Sequence, residues 1–580
     1  MSSQQFNLQP AIKLKNPYDV AIGWTAIFEQ LKAANAKTVV IECYNGVSMD
    51  SLKSAITEHL QPALLIDAKS GMKSEEDIKA MVQPDVTDDR IFGYLSRLKI
   101  DAYFDGEKVE ALQQKIEAAE GLVVVYGSGA SVICESPALL VYADMARWEI
   151  QQRMRRNEVD SLGLSNRNTP DWMLLYKQGF FVDWRVLDRL KKTLFDKIDF
   201  LLDTNKEDQP KLIAHQAILE AYDQSVKQPF SVVPFFDPGP WGGQWMKEVC
   251  GLDPAQKNYA WCFNGVPEEN SLLVQAGEEL IEVPSINVVF RHPEALLGLP
   301  VYGRFGDEFP IRFDFLDTMG GGNLSLQVHP LTQYIQQEFG MHYTQDESYY
   351  IMDAKPDAEV YLGLKEGVDP EEFLGDLNHA QATGEAFDDT KHVQRFPANK
   401  HDHFLIPAGT VHCQGADSMV LEISATPYIF TFKLYDWGRV GMDGRPRPIN
   451  IEHGKQVIQW NRTTEWTKNN LVNQVTVVGE GDGWVEERTG LHEAEFIETR
   501  RHWFTKTTTH DTQNSVNVIS LVEGAQVVIE SPTNAFEPFL LNFAEVVILP
   551  AALGQYTVRP TEKSQGKTCG TMKAFVRTQP

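Results

Sequence analysis

The sequence predicts a multidomain protein in which an N-terminal α/β region precedes a mainly β region. Two observations predict this order, and the length of the chain allows the number of domains. Residues 1–225 alternate β-branched apolar runs, such as KTVVIEC, with segments of helical spacing, such as DSLKSAITEHL. From about residue 230 the chain becomes a series of strands separated by glycine and proline, and a second β-rich stretch begins near residue 470. At roughly 150 residues per domain, 580 residues also allow three or four domains.

The predicted domains follow these changes and span residues 1–225, 226–465 and 466–580. In the first domain, the alternation of strands and helices implies a parallel sheet with helices on its faces. In the other two, FLIPAGTVHCQ and VILPAALGQYTV share a turn of proline, alanine and a small residue. This shared turn suggests two divergent copies of one β-barrel design.

Charge and cysteine usage exclude several classes of function. The 80 acidic residues outnumber the 53 basic ones, and a formal net charge of −27 repels nucleic-acid phosphates, although a local cluster of cations can still hold a small anion. The six cysteines show no C-x-x-C spacing, so neither a disulfide framework nor a cysteine zinc site is expected. No apolar run approaches the roughly 18 residues of a membrane span. We therefore expect a soluble, cytoplasmic protein without nucleic-acid or membrane partners.

Four side chains from three separate stretches form a candidate metal site. On a strand, Gln327 and His329 lie two residues apart and point to the same face. Glu347 precedes a strand-like run, and His412 follows the tight turn of residues 407–409. A single histidine on a strand is more often a packed or surface residue, but the three features together favour a shared site. Two imidazoles, one carboxylate and one amide oxygen suit a divalent ion such as zinc, which would polarise a sugar carbonyl.

Several motifs around these residues resemble one known family. They are NLSLQVHP, DESYYIMDAK, FLIPAGTVHCQG, LYDWGR, DGRPRPINIEHGKQVI and the opening segment PFFDPGPWGG. The set resembles class I mannose-6-phosphate isomerases, which are zinc-dependent cupins, over roughly residues 230–580. The resemblance implies one Zn²⁺ per chain, held by Gln327, His329, Glu347 and His412. It also implies two jelly-roll cupin barrels, of which the second, lacking a histidine in VILPAALGQYTV, should be metal-free.

The resemblance also assigns residues around the metal, with two departures. Arg439 of LYDWGR corresponds to the family's active-site arginine, and Ser325 to a serine that helps to hold phosphate. Gln345 and Asp314 stand where the family has lysines, which weakens the expected attraction for phosphate. Arg312 lies two residues from Asp314 on the same strand face and is a candidate to compensate for the lost positive charge; alternatively, the two form a surface ion pair of little worth. From the sequence, both interpretations stay open.

Two further histidines lie near these motifs. His401 and His403 precede the turn in the polar stretch NKHDH, so we expect them at the rim of the barrel or in solvent. The carboxylate of Glu422, in MVLEIS, is a candidate partner for a metal-binding histidine.

The first domain resembles uridine kinase and phosphoribulokinase-like P-loop proteins. VVIECYNGVSMDSLKSAI has their order of strand, loop and helix, and LLVYADMARWEIQQRMRR resembles their late strand and arginine-rich lid helix. A working phosphate loop needs a lysine followed by serine or threonine, and the loop around Gly46 has no lysine. The resemblance therefore implies a nucleotide-kinase fold that has lost ATP hydrolysis. The arginines at 147, 153, 155 and 156 either bind an anion or form a solvated face.

The leading functional hypothesis is a zinc-dependent aldose–ketose isomerase that interconverts mannose 6-phosphate and fructose 6-phosphate, fused to a degenerate kinase-like domain. One alternative is a non-catalytic metal-binding cupin that acts as a sugar sensor or scaffold. The other is an isomerase of a different sugar. The two missing lysines favour the alternatives, whereas the four-ligand pattern together with Arg439 favours an enzyme.

Overall fold

The computed structural model describes residues 6–578 apart from 443, 491 and 493. The described chain divides into two compact units. The α/β unit comprises Ala11–Gln224 and Glu268–Arg291. The β unit comprises the described residues up to Pro10, Ser225–Pro267 and the chain from His292 onwards. The protein is therefore multidomain, as the sequence predicts.

The described residues contain 31 β-strands. The strands, in chain order, are β1 (Ala11–Lys13), β2 (Val20–Ile22), β3 (Thr38–Cys43), β4 (Leu64–Asp67), β5 (Val123–Gly127), β6 (Leu139–Asp144), β7 (Phe200–Asp203), β8 (Lys211–Ala214), β9 (Phe235–Asp237), β10 (Trp261–Gly265), β11 (Ser271–Ala276), β12 (Glu279–Pro284), β13 (Ile311–Asp317), β14 (Leu326–Val328), β15 (Glu347–Ala354), β16 (Glu359–Leu364), β17 (Val393–Pro397), β18 (His403–Ile406), β19 (His412–Gln414), β20 (Ser418–Ala425), β21 (Phe432–Tyr435), β22 (Thr476–Gly481), β23 (Trp484–Gly490), β24 (Ile497–Phe504), β25 (Thr508–Asp511), β26 (Asn517–Glu523), β27 (Gln526–Glu530), β28 (Phe539–Asn542), β29 (Val546–Leu549), β30 (Gln555–Pro560) and β31 (Cys569–Val576).

Most of the α-helices lie in the first half of the chain. They are α1 (Gly23–Ala33), α2 (Met49–His59), α3 (Glu75–Val86), α4 (Gly106–Ala118), α5 (Ala130–Ile133), α6 (Arg147–Arg155), α7 (Trp172–Gln178), α8 (Trp184–Leu194), α9 (His215–Ser225), α10 (Trp245–Val249), α11 (Ile286–Arg291), α12 (Pro293–Leu297), α13 (Leu299–Phe305), α14 (Thr332–Phe339), α15 (Pro370–Thr383), α16 (Asp389–His392), α17 (Ile451–Gly454) and α18 (Thr464–Asn470). None of the described helices is long and apolar enough to cross a membrane.

The α/β unit is built on a seven-stranded sheet with the order β2-β8-β7-β6-β3-β5-β4. Strands β3 to β7 are parallel, and β8 and β2 extend this sheet antiparallel at one edge. The apolar runs KTVVIEC and GLVVVYG form β3 and β5, which are buried because α1 and α2 pack on the sheet. The predicted parallel sheet is therefore present, with its first strand, β3, in the middle.

One segment belongs to a different unit from the one that the predicted boundary implies. The segment Glu268–Arg291 lies within the predicted second domain, yet it belongs to the α/β unit. Its hairpin, β11 and β12, forms a small sheet in which β11 pairs in parallel with β1. Backbone hydrogen bonds between strands more than 250 residues apart in sequence, Ala11 with Leu273, fix this placement.

The β unit contains the same strand-pairing pattern twice. In the first barrel, β20 lies between β13 and β15, and β19 lies between β14 and β16. In the second barrel, β31 lies between β24 and β26, and β30 lies between β25 and β27. Eight consecutive strands thus repeat their pairing, and the two related turns follow β18 and β29, the equivalent strands. This repetition agrees with the predicted duplication, while the boundary between residues 465 and 466 stays a prediction.

The two barrels differ in what fills them. Apolar side chains from both sheets of the second barrel pack into one core, including Phe504, Ile519, Val527 and Leu549. Asn517, at the start of β26, is equivalent to Glu347, at the start of β15. Each of them is paired with the last residue of the strand that precedes the related turn: Leu549 for Asn517 and Ile406 for Glu347. The Tyr556 hydroxyl donates to Asn517 Oδ1 at 3.0 Å. The Tyr556 phenol and the Asn517 amide therefore form a hydrogen bond at the position equivalent to Glu347. That the second barrel binds no metal stays a prediction, and this hydrogen bond supports it.

Candidate metal centre

The first barrel brings the predicted metal ligands together from both of its sheets. His329 follows β14 directly, and His412 begins β19 in the same sheet. Glu347 begins β15 in the facing sheet. Gly409, at a φ of 86°, allows the turn before His412, and its N–H donates to the carbonyl of His329 at 2.9 Å. The turn thus positions both histidines at once.

The three candidate ligand side chains meet at one buried point. His329 Nε2 lies 3.0 Å from Glu347 Oε2, and His412 Nε2 lies 2.9 Å from Glu347 Oε1. All three side chains are fully buried, and their donor atoms lie within 4.8 Å of one another. Because zinc binds such atoms at about 2.0–2.2 Å, donors around one tetrahedral ion are separated by about 3.3 Å, close to these distances.

The other nitrogen of each imidazole fixes which atom faces this point. His329 Nδ1 lies 3.1 Å from the carbonyl of Phe430, and His412 Nδ1 lies 2.8 Å from the carbonyl of Thr410. A carbonyl oxygen only accepts, so Nδ1 donates in both rings and each neutral ring presents the Nε2 lone pair to Glu347. Two lone pairs facing a carboxylate need a cation among them. The residues therefore fit a divalent metal ion.

Electrostatics at this point favour an ionised carboxylate. Burial alone would raise the pKa of Glu347, but the adjacent His329 and His412 outweigh it and lower the pKa below its ordinary value. Burial likewise opposes charge on His329, yet Glu347 raises its pKa. Both shifts show that the Glu347 carboxylate favours positive charge at this point.

Gln327 and Ser325 lie beside this triad. Gln327 Nε2 is 3.1 Å from His412 Nε2, so the amide stands at the edge of the ligand cluster. Turning the amide about its last torsion would present Oε1 instead. Ser325 donates its hydroxyl to Gln327 Oε1 at 3.1 Å. The predicted roles of Gln327 as a fourth ligand and Ser325 as a phosphate contact stay predictions.

The two predicted arginines are both engaged with other groups. Arg439 lies 2.6 Å from Asp436 Oδ1 through one terminal nitrogen and donates to the carbonyl of Asn323 at 2.5 Å through the other. Arg312 lies 3.7 Å from Asp314 and 3.8 Å from Glu422. The pair of Arg312 and Asp314 is buried, so the alternative of a surface ion pair is wrong.

Lys433 is a cation beside the site that the sequence interpretation missed. It lies on β21 directly opposite Gln327 on β14, an arrangement that places the two side chains on one face. The residue is partly exposed; desolvation lowers the pKa of Lys433 to about 7, with Arg447 acting in the same direction and Asp436 opposing it. The alternation of apolar and polar residues in the strand FKLY would have indicated on which face of the strand Lys433 lies. Its position beside Gln327 follows only from the pairing of strands over 100 residues apart.

The structure also places Gln345 and His403, two residues that were singled out from the sequence. Gln345, which stands where the resembling family has a lysine, donates to Glu347 Oε2 at 3.1 Å. His403, predicted at the rim or in solvent, is completely buried on β18 opposite Tyr350. That prediction was wrong: burial lowers the pKa of His403 to about 3, and the ring stays neutral.

In the α/β unit, side chains of helix α6 crowd Gly46 of the loop predicted to be a degenerate phosphate loop. A Cβ atom on Gly46 would lie 2.9 Å from Ile150 Cγ1, and Arg153 donates to the Gly46 carbonyl at 3.1 Å. Arg147, on the same helix as Arg153, lies 2.5 Å from Asp188. These buried arginines serve internal contacts, so the alternative of a solvated face does not hold for them.

Comparisons with known proteins give different matches for the N-terminal and the C-terminal parts of the chain. Residues 23–227 match a family model described as a domain of unknown function, DUF8485. In its C-terminal part the chain is homologous to curated mannose-6-phosphate isomerases. It is 29% identical over 235 residues to the probable mannose-6-phosphate isomerase GmuF of Bacillus subtilis, covering 40% of this chain and 68% of the relative. It is 26% identical over 233 residues to ManA of the same organism, with the same shares.

Solved structures give related similarities. The mannose 6-phosphate isomerase of Bacillus subtilis aligns with 60% of this chain and 99% of its own, with a TM-score of 0.49 and 19% identity. A zinc-bound mannose 6-phosphate isomerase aligns over the same shares with a TM-score of 0.45 and 14% identity. The homology over 40% of the chain points to an isomerase, at distant identity.

Proposed function

We propose that the first barrel is a zinc-dependent aldose–ketose isomerase that interconverts mannose 6-phosphate and fructose 6-phosphate. The observation that carries this proposal is the Glu347 carboxylate, which is held between the Nε2 atoms of His329 and His412 at 3.0 and 2.9 Å. The distant homology to curated mannose-6-phosphate isomerases supports the choice of reaction.

In this proposal, His329, Glu347, His412 and Gln327 hold one zinc ion. When bound, zinc supplies a Lewis acid that polarises the sugar carbonyl. The carbonyls of Phe430 and Thr410 keep the two imidazoles oriented through their Nδ1 atoms. Negative charge develops on the sugar oxygens when a proton moves between C1 and C2.

The chain supplies cations and a hydroxyl for that charge and for the phosphate. Lys433, opposite Gln327, is a cation that the strand pairing places beside the site. Arg439 and Ser325 are the groups that we propose for the substrate, with Arg439 held by Asp436. Arg312 adds little to phosphate binding in this proposal, because Asp314 and Glu422 balance its charge.

The decisive test is direct turnover. Purified, zinc-loaded protein is incubated with mannose 6-phosphate, and formation of fructose 6-phosphate is coupled to a detection enzyme. We expect turnover that disappears in the metal-free protein. Zinc bound at one ion per chain without turnover would contradict the proposal. In a companion experiment, His412→Ala should lose zinc by mass spectrometry, because a ligand is removed; retained zinc would refute the ligand assignment.

A second candidate is favoured by the residues near Glu347. Gln345 and Asp314 provide no positive charge, whereas the resembling family has lysines there. An isomerase of an unphosphorylated sugar, or a metal-binding sugar sensor, would not need these cations. Turnover of mannose rather than mannose 6-phosphate supports a different substrate, and binding without turnover of either sugar supports the sensor.

For the α/β unit we propose a kinase-like fold without ATP hydrolysis. Arg153 and Ile150 occupy the surroundings of Gly46 where phosphate would have to approach the backbone. Calorimetry with ATP and Mg²⁺ should therefore give no binding signal. Tight, magnesium-dependent binding would contradict this proposal. The six cysteines are free thiols, which agrees with the reducing, cytoplasmic setting that we propose.

A further inference from the structure

A cavity lies in the α/β unit at the carboxyl ends of three neighbouring parallel strands. Its lining includes residues at and just after the ends of β3, β5 and β4, together with residues of the segment 158–167. Its volume is about 230 Å³, below the range of roughly 300–1,000 Å³ typical of sites for drug-sized ligands. Open parallel sheets bind ligands at this edge. The position and size therefore suit a small molecule.

The cations of this cavity are already engaged. Among the lining residues, all of which the structure describes, Lys69 and Arg167 are the basic ones. Lys69 lies 2.9 Å from Glu75, and Arg167 lies 3.3 Å from Asp50 and 3.1 Å from Asp160.

The beginning of helix α2, beside the cavity, is also occupied. The Ser48 hydroxyl accepts from the N–H of Ser51, and the Ser51 hydroxyl donates to the Glu207 carboxylate. The cavity walls include the carboxylates of Asp50, Asp67, Glu158 and Asp160, so acidic groups outnumber basic ones. A phosphate would meet net repulsion here.

Asp67 differs from the other carboxylates of the cavity. It ends β4, and it forms no ion pair with any described residue. Its Oδ1 accepts from the N–H of Lys69 at 2.9 Å, and its Oδ2 accepts only a long hydrogen bond, 3.4 Å, from the Tyr126 hydroxyl. A carboxylate has about four acceptor positions, so Asp67 retains capacity for further donors. A divalent cation would need several such oxygens, and Asp67 alone does not provide them.

The neighbouring side chains add hydroxyl groups rather than charge. Ser128 follows β5 and donates to the Cys43 carbonyl at 2.8 Å, which leaves its oxygen able to accept. Ser161 and Ser165, in the segment 158–167, also line the cavity. The Ser165 hydroxyl is engaged, since it accepts from Lys69 Nζ and donates to Glu75 Oε1, both at 2.7 Å. Ser161 Oγ accepts from the Asn166 amide at 3.1 Å and keeps its proton for a ligand. One unpaired carboxylate surrounded by hydroxyls matches a ligand with several O–H groups, because two adjacent hydroxyls can donate to the two carboxylate oxygens.

We propose that this cavity binds a neutral, hydroxyl-rich molecule of monosaccharide size, with Asp67 accepting hydrogen bonds from the ligand. The cavity is separate from the metal centre, and the inference does not depend on the proposed isomerase reaction. The chain would then carry, in addition to its barrel site, a site that discriminates against phosphorylated sugars.

The probe is D-mannose, tested on the full-length protein by isothermal titration and by saturation-transfer NMR. We expect saturable binding that Asp67→Asn weakens about tenfold to a hundredfold, because a charge-assisted acceptor is lost. Asp77→Asn, an exposed carboxylate of helix α3, is the matched control and should bind as the wild type does. Ser165→Trp, which fills the cavity from an exposed position, should also abolish binding. Thermal unfolding establishes that each variant is folded.

The His412→Ala variant distinguishes this cavity from the barrel site. In that background, D-mannose binding should persist, and mannose 6-phosphate should bind at least tenfold more weakly than D-mannose. Loss of the mannose signal in His412→Ala, with Asp67→Asn unchanged, would place the binding in the barrel and overturn the proposal. Absence of mannose binding in the wild type would overturn it as well, without bearing on isomerase activity.

Discussion

Replacing Glu347 with glutamine tests the central claim about the metal centre. The substitution keeps the size of the side chain and removes its negative charge. In the wild type the carboxylate oxygens lie 3.0 and 2.9 Å from the two imidazole Nε2 atoms. Hydrogen bonds that involve a charged group contribute about 1.5–3 kcal/mol each. Taking the same size for each contact of the carboxylate within the site, two contacts correspond to about 3–6 kcal/mol. At about 1.4 kcal/mol per factor of ten, zinc should bind roughly 10²- to 10⁴-fold more weakly.

The assay is a competition between the protein and a chromophoric zinc chelator at pH 7, with zinc content verified by mass spectrometry. The matched control is Glu359→Gln, which removes a partly exposed carboxylate of the same barrel that pairs with Arg395 at 3.3 Å. The control should bind zinc as the wild type does. If Glu347→Gln changes zinc affinity by less than threefold, the carboxylate is not a ligand and the metal-centre reasoning fails.

Three further predictions concern the supporting structure. Gly409→Ala should lower the free energy of unfolding by about 1–3 kcal/mol and weaken zinc binding, because a Cβ there would lie 2.7 Å from Gln459 Cγ at a positive φ; denaturant titration and zinc competition measure both. Burial raises the pKa of Asp183 to about 7, so its stabilising, protonated form is lost as pH rises from 4 towards 7. The wild type should therefore lose stability relative to Asp183→Asn by about 1.4 kcal/mol per pH unit over that range; parallel pH profiles would refute this. Tyr556→Phe should destabilise the second barrel by about 1–3 kcal/mol while zinc content stays unchanged, since Asn517 loses its donor.

Local patterns in the sequence were sufficient to predict that His329, Glu347 and His412 lie together. Gln327 and His329 share a strand face because side chains alternate, and the turn before His412 is marked by proline and glycine. These signals need no knowledge of distant contacts. The same holds for the parallel sheet of the α/β unit, whose β-branched runs and helical spacing are local properties of the chain.

The features that the sequence interpretation missed depend on contacts between distant residues. Lys433 lies beside Gln327 only because β14 pairs with β21. The hairpin of β11 and β12 joins the α/β unit through its pairing with β1. His403 stands in a polar stretch, and such local composition does not reveal that Gly490 of the second barrel approaches its ring. In each case long-range pairing, rather than propensity, decides the position.

The two barrels share the same strand pairing but should differ in the mutations that they tolerate. Both copies can keep their register with very different interiors, because the hydrogen-bonded ladders set the framework in each. The second barrel, packed with Phe504 and Leu549, should accept conservative hydrophobic exchanges of equal volume. In the first barrel, an equivalent exchange at Glu347 would preserve the framework and remove the chemistry. The two copies of the barrel should consequently accept different substitutions during evolution. Side-chain volume limits the substitutions in the second barrel, and charge limits those in the first.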